Sequence, residues 1–208
     1  NGIEQALRFT YLAPLHDVTA EEAEARERLD RLARRVEELG DVAAAPGSFA
    51  LGRGFLLLGE FGRARQHLER AWAAGYHGGD VAYALGRALG GLYQQELENV
   101  ERIANKDVRE QRRAEVERAL RDPALATLAR ARGARQEVPE LVEALVAFYE
   151  KRYDEALATA RRAGARASWL YEAREREGSV HLAVAREQRA GGAIDEALAS
   201  YGAASQAF

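Results

Sequence analysis

Narrow and bulky apolar residues return along this chain at a fixed interval, and that spacing predicts stacked pairs of helices. From Ala50 to Tyr76 the sequence reads ALGRGFLLLGEFGRARQHLERAWAAGY, with Leu51-Gly52, Phe55, Gly59, Phe61, Ala64, Leu68 and Ala71 as landmarks. Leu85-Gly86 and Leu89 repeat its opening 34 residues on, a spacing typical of arrays built from helix–turn–helix units. Further along, Tyr153, Ala156, Ala160 and Ala163 stand where the first unit has Phe61, Ala64, Leu68 and Ala71. Ala144 takes the place of Gly52, and Gly178 follows it by 34. Ile194, Ala197, Tyr201 and Ala204 close the series, 41 residues after their counterparts, which is one period plus two helical turns. Four helical hairpins are legible, the second and fourth lengthened. Small residues let neighbouring helices approach, bulky ones fill the space beside them, and each pair must cover its bare face with the next.

Residues 1–42 read as a separate helical cap. A helix from about Gly2 to Leu12 is stopped by Pro14. Thr19 with Glu22 has the spacing of a capping box for a second helix, which Gly40 ends. Leu29, Leu32, Val36 and Leu39 form its apolar stripe. Residues 43–93 carry the first hairpins, 94–136 a long helical insertion, and 137–208 the remaining hairpins, all within one continuous domain. Across the insertion, Leu89, Tyr93, Leu97, Val100 and Ile103 prolong a helix that Asn105 to Asp107 breaks. Asp107 is expected to cap the next helix, to about Arg121, and Asp122-Pro123 to begin another that ends at Gly133.

Composition narrows the function classes. Hydrophobic residues make up 47% and charged residues 30% of 208, with only 4 prolines, which suits an all-α globular chain. The net charge of −3 supplies no field toward nucleic acid or an anionic membrane. Of 30 basic residues only Lys106 and Lys151 are lysines. No cysteine is present, which excludes disulfides and thiolate chemistry. Without an apolar run of about 20 residues or a leader-like start, a cytoplasmic location is expected. The absence of Met, even at position 1, reads as a fragment of a longer protein.

The repeat landmarks resemble the tetratricopeptide family over about two-thirds of the chain. A narrower resemblance rests on YLAPLHD, ALGRGFLLLGEFGRARQHLERAWAAGY, VAYALGRALGGLYQQEL, RDPALA and ASWLYEA. Together these are similar to the tetratricopeptide region that follows the catalytic domain in bacterial eukaryotic-like serine/threonine protein kinases. The resemblance implies a right-handed superhelix of helical hairpins with an N-terminal cap and a helical insertion, on which a substrate or regulator of the kinase docks. None of the kinase's own phosphate-loop, catalytic-loop or metal-binding motifs occurs in this sequence. The chain is therefore expected to be a binding module, not an enzyme, and to need no cofactor.

Several stretches look chemical and have plainer explanations. Gly52, Gly54 and Gly59 suggest a dinucleotide loop, but the third glycine belongs at position 57, where Leu57 stands. His16-Asp17 lacks a nearby nucleophile and suits a turn. His67, His77 and His181 are isolated, without metal-ligand spacing. Alternating Glu and Arg between Glu21 and Arg35 and between Glu110 and Arg118 suit solvated helix faces. One recurrence goes further. Phe49 with Arg53, and Tyr83 with Arg87, fall at equivalent groove-facing positions of two successive repeats, and Gln94 and Tyr149 extend the same wall. Two guanidiniums beside aromatic rings suit a carboxylate or phosphopeptide. The competing expectation is that these arginines pair with carboxylates such as Glu60 or Glu96. Self-association through an end bearing Tyr201 and Phe208 remains a second reading, and an unrecognised enzymatic site in the insertion a third.

Overall fold

Every regular element among the described residues is helical. The computed structural model describes residues 17–132, 139–167 and 169–207; the expected Gly2–Leu12 helix, Pro14, His16, Gly133 and Phe208 lie outside them. The chain divides into two compact units, Asn1–Arg135 and Gln136–Phe208, a boundary at the end of the expected insertion.

In the first unit, α1 (Thr19–Leu39) packs on α2 (Asp41–Leu57), and α2 pairs with α3 (Phe61–Ala73). The capping box at Thr19 does not form. Instead Asp17 accepts from the Thr19 backbone N–H at 2.9 Å and from its hydroxyl at 2.5 Å, because the carboxylate two residues upstream reaches the first turn unaided. Leu29 is buried, whereas Leu39, expected on the same stripe, is half exposed at the last residue of the helix, beside the Gly40 turn. Gly40, at φ 60°, turns the chain back.

Close approach is what the small residues provide. A Cβ placed on Gly52 would lie 2.5 Å from Leu68 Cγ, and one on Gly54 would collide with Leu29. Leu29, Leu51, Phe55, Leu68, Ala64, Ala71 and Val81 are buried as one cluster. Phe61 packs onto the following helix, α4 (Gly79–Glu101), so closely that a Cβ on Gly91 would meet its ring at 2.5 Å.

The insertion departs from expectation at three points. Asn105, not Asp107, caps α5 (Lys106–Val116): its side chain accepts from the Val108 N–H at 3.0 Å, the three-residue reach an N-cap needs. Next, α5 does not stop at Asp122-Pro123. It passes through a π turn at Glu117–Arg121 into α6 (Asp122–Ala131), with the Asp122 N–H bonded to the Glu117 carbonyl. A wider turn suits Pro123, which has no N–H to give and whose ring would meet the Ala119 carbonyl in a regular helix.

The third departure changes the architecture. The helix that pairs with α4 is α6, beyond α5 and within the expected insertion. Ala124, Leu128 and Ala131 repeat the spacing of Ala64, Leu68 and Ala71, and all six are buried. Leu128 fits Gly86 as Leu68 fits Gly52: a Cβ on Gly86 would lie 2.6 Å from Leu128 Cγ. The repeat pattern therefore resumes inside the expected insertion, at Ala124.

In the second unit, α7 (Pro139–Tyr149) pairs with α8 (Tyr153–Arg166), and α9 (Tyr171–Ala190) with α10 (Ile194–Ala207), while α8 packs on α9. Ala144, Ala156, Ala160, Ala163, Gly178, Ala197 and Ala204 are buried, as the repeat requires. The fourth pair's extra length lies in α9, with 20 residues against 11 in α7. The Tyr153 hydroxyl lies 3.0 Å from Glu187 Oε1, and Arg166 holds Glu140 at 2.9 Å. The Glu140 carboxyl is kept below the usual carboxylate range by its own backbone N–H first and Arg166 second.

Candidate partner-binding face

Phe49 and Arg53 lie four residues apart on α2, and Tyr83 and Arg87 four apart on α4, so each pair shares one helix face. The two helices touch directly. In both, the guanidinium reaches over its own ring, Arg53 at 5.6 Å from the Phe49 centroid and Arg87 at 5.8 Å from that of Tyr83. Phe49 is braced by Tyr76, edge to face at 5.2 Å. All four side chains are partly buried. A cation held over an aromatic face keeps its charge toward solvent while the ring restricts its rotamers, which lowers the ordering cost of meeting an anion. Gln94, eleven residues after Tyr83 and thus on the same stripe of α4, is also partly buried.

The carboxylates expected to compete are engaged elsewhere as well. Glu60 accepts from Arg26 Nε at 2.5 Å and pairs with Arg63 at 3.2 Å. Glu96 lies 3.8 Å from Arg112. Arg26 is held more firmly protonated by its bond to Glu60.

Tyr149, expected on the same wall, is buried and presents no surface to a partner. It belongs to the second unit and is 2% exposed, its ring 5.6 Å from that of Phe148. Its position at the end of an apolar helix, before the turn at Lys151, makes it a packing residue. Tyr201 is partly buried on α10, which leaves Ile194 and Leu198 exposed.

The other candidates resolve into structural roles. Gly52 and Gly54 are packing contacts, and Gly59, at φ 68°, ends α2. His67 stacks on Phe55 at 5.4 Å, and His77 lies 4.8 Å from the Trp72 ring. Burial, then Arg70 and Arg63, push the His67 imidazole below its ordinary pKa. In the insertion, Arg112 pairs with Glu115 at 3.0 Å, Arg121 with Glu117 and Asp122 at 2.9 Å, and Arg113 with Glu101. Tyr93, beneath the π turn, is buried, and burial followed by the Glu117 carboxylate pushes its hydroxyl up to about 12. Its phenol therefore stays protonated at neutral pH. Among the described residues, no cluster of three or more His, Asp or Glu side chains could hold a metal ion, and no helix is long and apolar enough to cross a membrane.

The 34-residue spacing does not reveal every concave surface of the first unit. A cleft in the first unit is lined by Glu69, Trp72, Ala73, Leu85, Thr127 and Arg130, from α3, α4 and α6. Its sequence signal is the Ala-x-x-x-Leu-x-x-Ala spacing shared by residues 64–71 and 124–131, which brings α6 beside α3 and α4. No protein-family model matches the chain, and no curated protein matches it either.

Proposed function

We propose that this chain is a protein-docking module of the tetratricopeptide kind. On this reading it is a right-handed stack of helical hairpins that holds an acidic or phosphorylated peptide against α2 and α4. The parent chain carries a serine/threonine kinase domain, cytoplasmic and bacterial, and the module brings a substrate or regulator to it.

The observation that carries the binding reading is the recurrence of one device on two touching helices: an arginine set over an aromatic ring, 34 residues apart. The buried small-residue seams at Gly52 and Gly86 support the tetratricopeptide assignment, since they fix successive hairpins at a common approach. The kinase link rests on the sequence resemblance.

The test is fluorescence anisotropy with a labelled peptide carrying phosphoserine among glutamates. Arg53→Glu combined with Arg87→Glu should weaken binding by about tenfold or more, since two charge-assisted contacts turn repulsive. Far-ultraviolet circular dichroism should be unchanged. An affinity equal to that of the unaltered protein removes these arginines from function.

A further inference from the structure

The cleft between α3, α4 and α6 has a chemistry of its own. Its volume is about 210 Å³, larger than the roughly 150 Å³ of an apolar cavity that admits a benzene ring. Trp72, Ala73 and Leu85 supply apolar wall. The Thr127 hydroxyl is already committed to the Pro123 carbonyl at 2.7 Å, so it demands nothing of a guest.

The rim carries two charges in different states. Glu69 is paired with Arg65 at 2.7 Å. Arg130 lies with its guanidinium 5.6 Å from the Trp72 ring centroid, and among the described residues no carboxylate comes within ion-pair reach of it. The acid is thus neutralised and the base is not. A cationic guest would meet Arg130 unfavourably, and a purely apolar one would leave that charge unanswered. An aromatic ring adjoining a carboxylate satisfies both: the ring occupies the apolar wall beside Trp72 and the carboxylate forks onto the guanidinium.

We infer that this cleft is a second docking site, taking an aromatic side chain next to an acidic residue in a protein partner. It uses none of the residues of the α2–α4 arginine wall, and it stands or falls separately from that reading.

The protein has two tryptophans, Trp72 and Trp169, and Trp169 does not line the cleft. In a Trp169→Phe background, Trp72 emission therefore reports on the site directly. The probe is the tripeptide acetyl-aspartyl-phenylalanyl-aspartyl amide. We expect a saturable change in Trp72 emission, about tenfold weaker in Arg130→Gln, as suits loss of one charge-assisted contact. Thr127→Leu, which fills the cleft, should abolish it, with circular dichroism showing the helices intact. Arg53→Glu with Arg87→Glu should leave it unchanged, so that failure here and failure of the arginine wall are told apart. No response of Trp72 to the tripeptide overturns the site, and equal affinity in Arg130→Gln overturns the charge assignment. If free phenylpropionate binds as tightly as the tripeptide, the cleft is a small-molecule site and the protein-partner assignment is wrong.

Discussion

The pairing of α4 with α6 can be tested atom by atom through Gly86 and Leu128. A Cβ at position 86 would stand 2.6 Å from Leu128 Cγ and 2.7 Å from Leu128 Cδ2, with the Ala124 carbonyl oxygen next at 3.4 Å. Gly86→Ala alone must push the leucine aside in a buried seam, an overpacking cost of about 1–3 kcal/mol. Leu128→Ala alone removes the same side chain and opens a cavity at a fully buried site, costing about 2–5 kcal/mol. Combined, the new methyl enters space that Leu128 has vacated, and only the 3.4 Å carbonyl contact remains tight. The double variant should therefore be less destabilised than the sum of the singles, by about 1 kcal/mol or more. Urea unfolding followed by Trp72 emission, in the Trp169→Phe background, measures all four corners of the cycle. Gly52→Ala with Leu68→Ala, where the corresponding distance is 2.5 Å, should show coupling of the same sign. Additivity at Gly86 and Leu128 within about 0.5 kcal/mol would refute the proposed seam.

Two further expectations follow from local geometry. The ends of α2, α3 and α9 turn through Gly59, Gly75 and Gly192 at positive φ, but α7 does so through Lys151 at φ 59°. Lys151→Gly should relieve a cost of about 1–2 kcal/mol and lose up to about 1 kcal/mol to the freer unfolded chain. The exposed pair with Glu187, at 3.8 Å, adds little. The net result should be a raised urea midpoint, and a lowered one would count against strain at this turn. His67 gives a pH test: its folded pKa lies below the unfolded value, so its contribution is complete above about pH 6.5 and is lost as pH falls toward the depressed native value. Between pH 8 and pH 5.5 (about the window of an ordinary imidazole), the unaltered protein should lose more stability than His67→Gln. Equal losses would show that burial and the neighbouring Arg70 and Arg63 do not depress the imidazole in the folded protein.

The helical pairing is readable in sequence because its seams demand particular sizes at particular intervals. Gly52 must be narrow where Leu68 arrives, and the same pressure places Ala144 and Gly178. The second pair is harder to read. Its closing residues Ala124, Leu128 and Ala131 obey the size rule, but the insertion carries them 60 residues beyond their counterparts, and a fixed period passes over them. Capping at the helix starts is equally elusive. Asp17 and Asn105 compete with Thr19 and Asp107 two positions away, and backbone geometry decides between chemically similar oxygens. At the candidate site, the aromatic–arginine pairs are legible because helix geometry alone puts residues four apart on one face. Tyr149 is not, since it closes an apolar run on a short helix, just before Glu150 and Lys151, and only packing reveals which way it turns. The Trp72 cleft depends on three helices at once, which no local pattern records.

The insertion also sets the order in which the first unit can assemble. Gly52 and Leu68 are joined by a short stretch of chain, whereas Gly86 must find a leucine 42 residues away. Bringing distant ends together costs about 0.6 kcal/mol more for each doubling of the intervening length. The α2–α3 hairpin can therefore close early, while α4 waits for α5 and the π turn to deliver its mate. Until that delivery the floor of the Trp72 cleft is open to water, and the site exists only once this longer-range contact has been made.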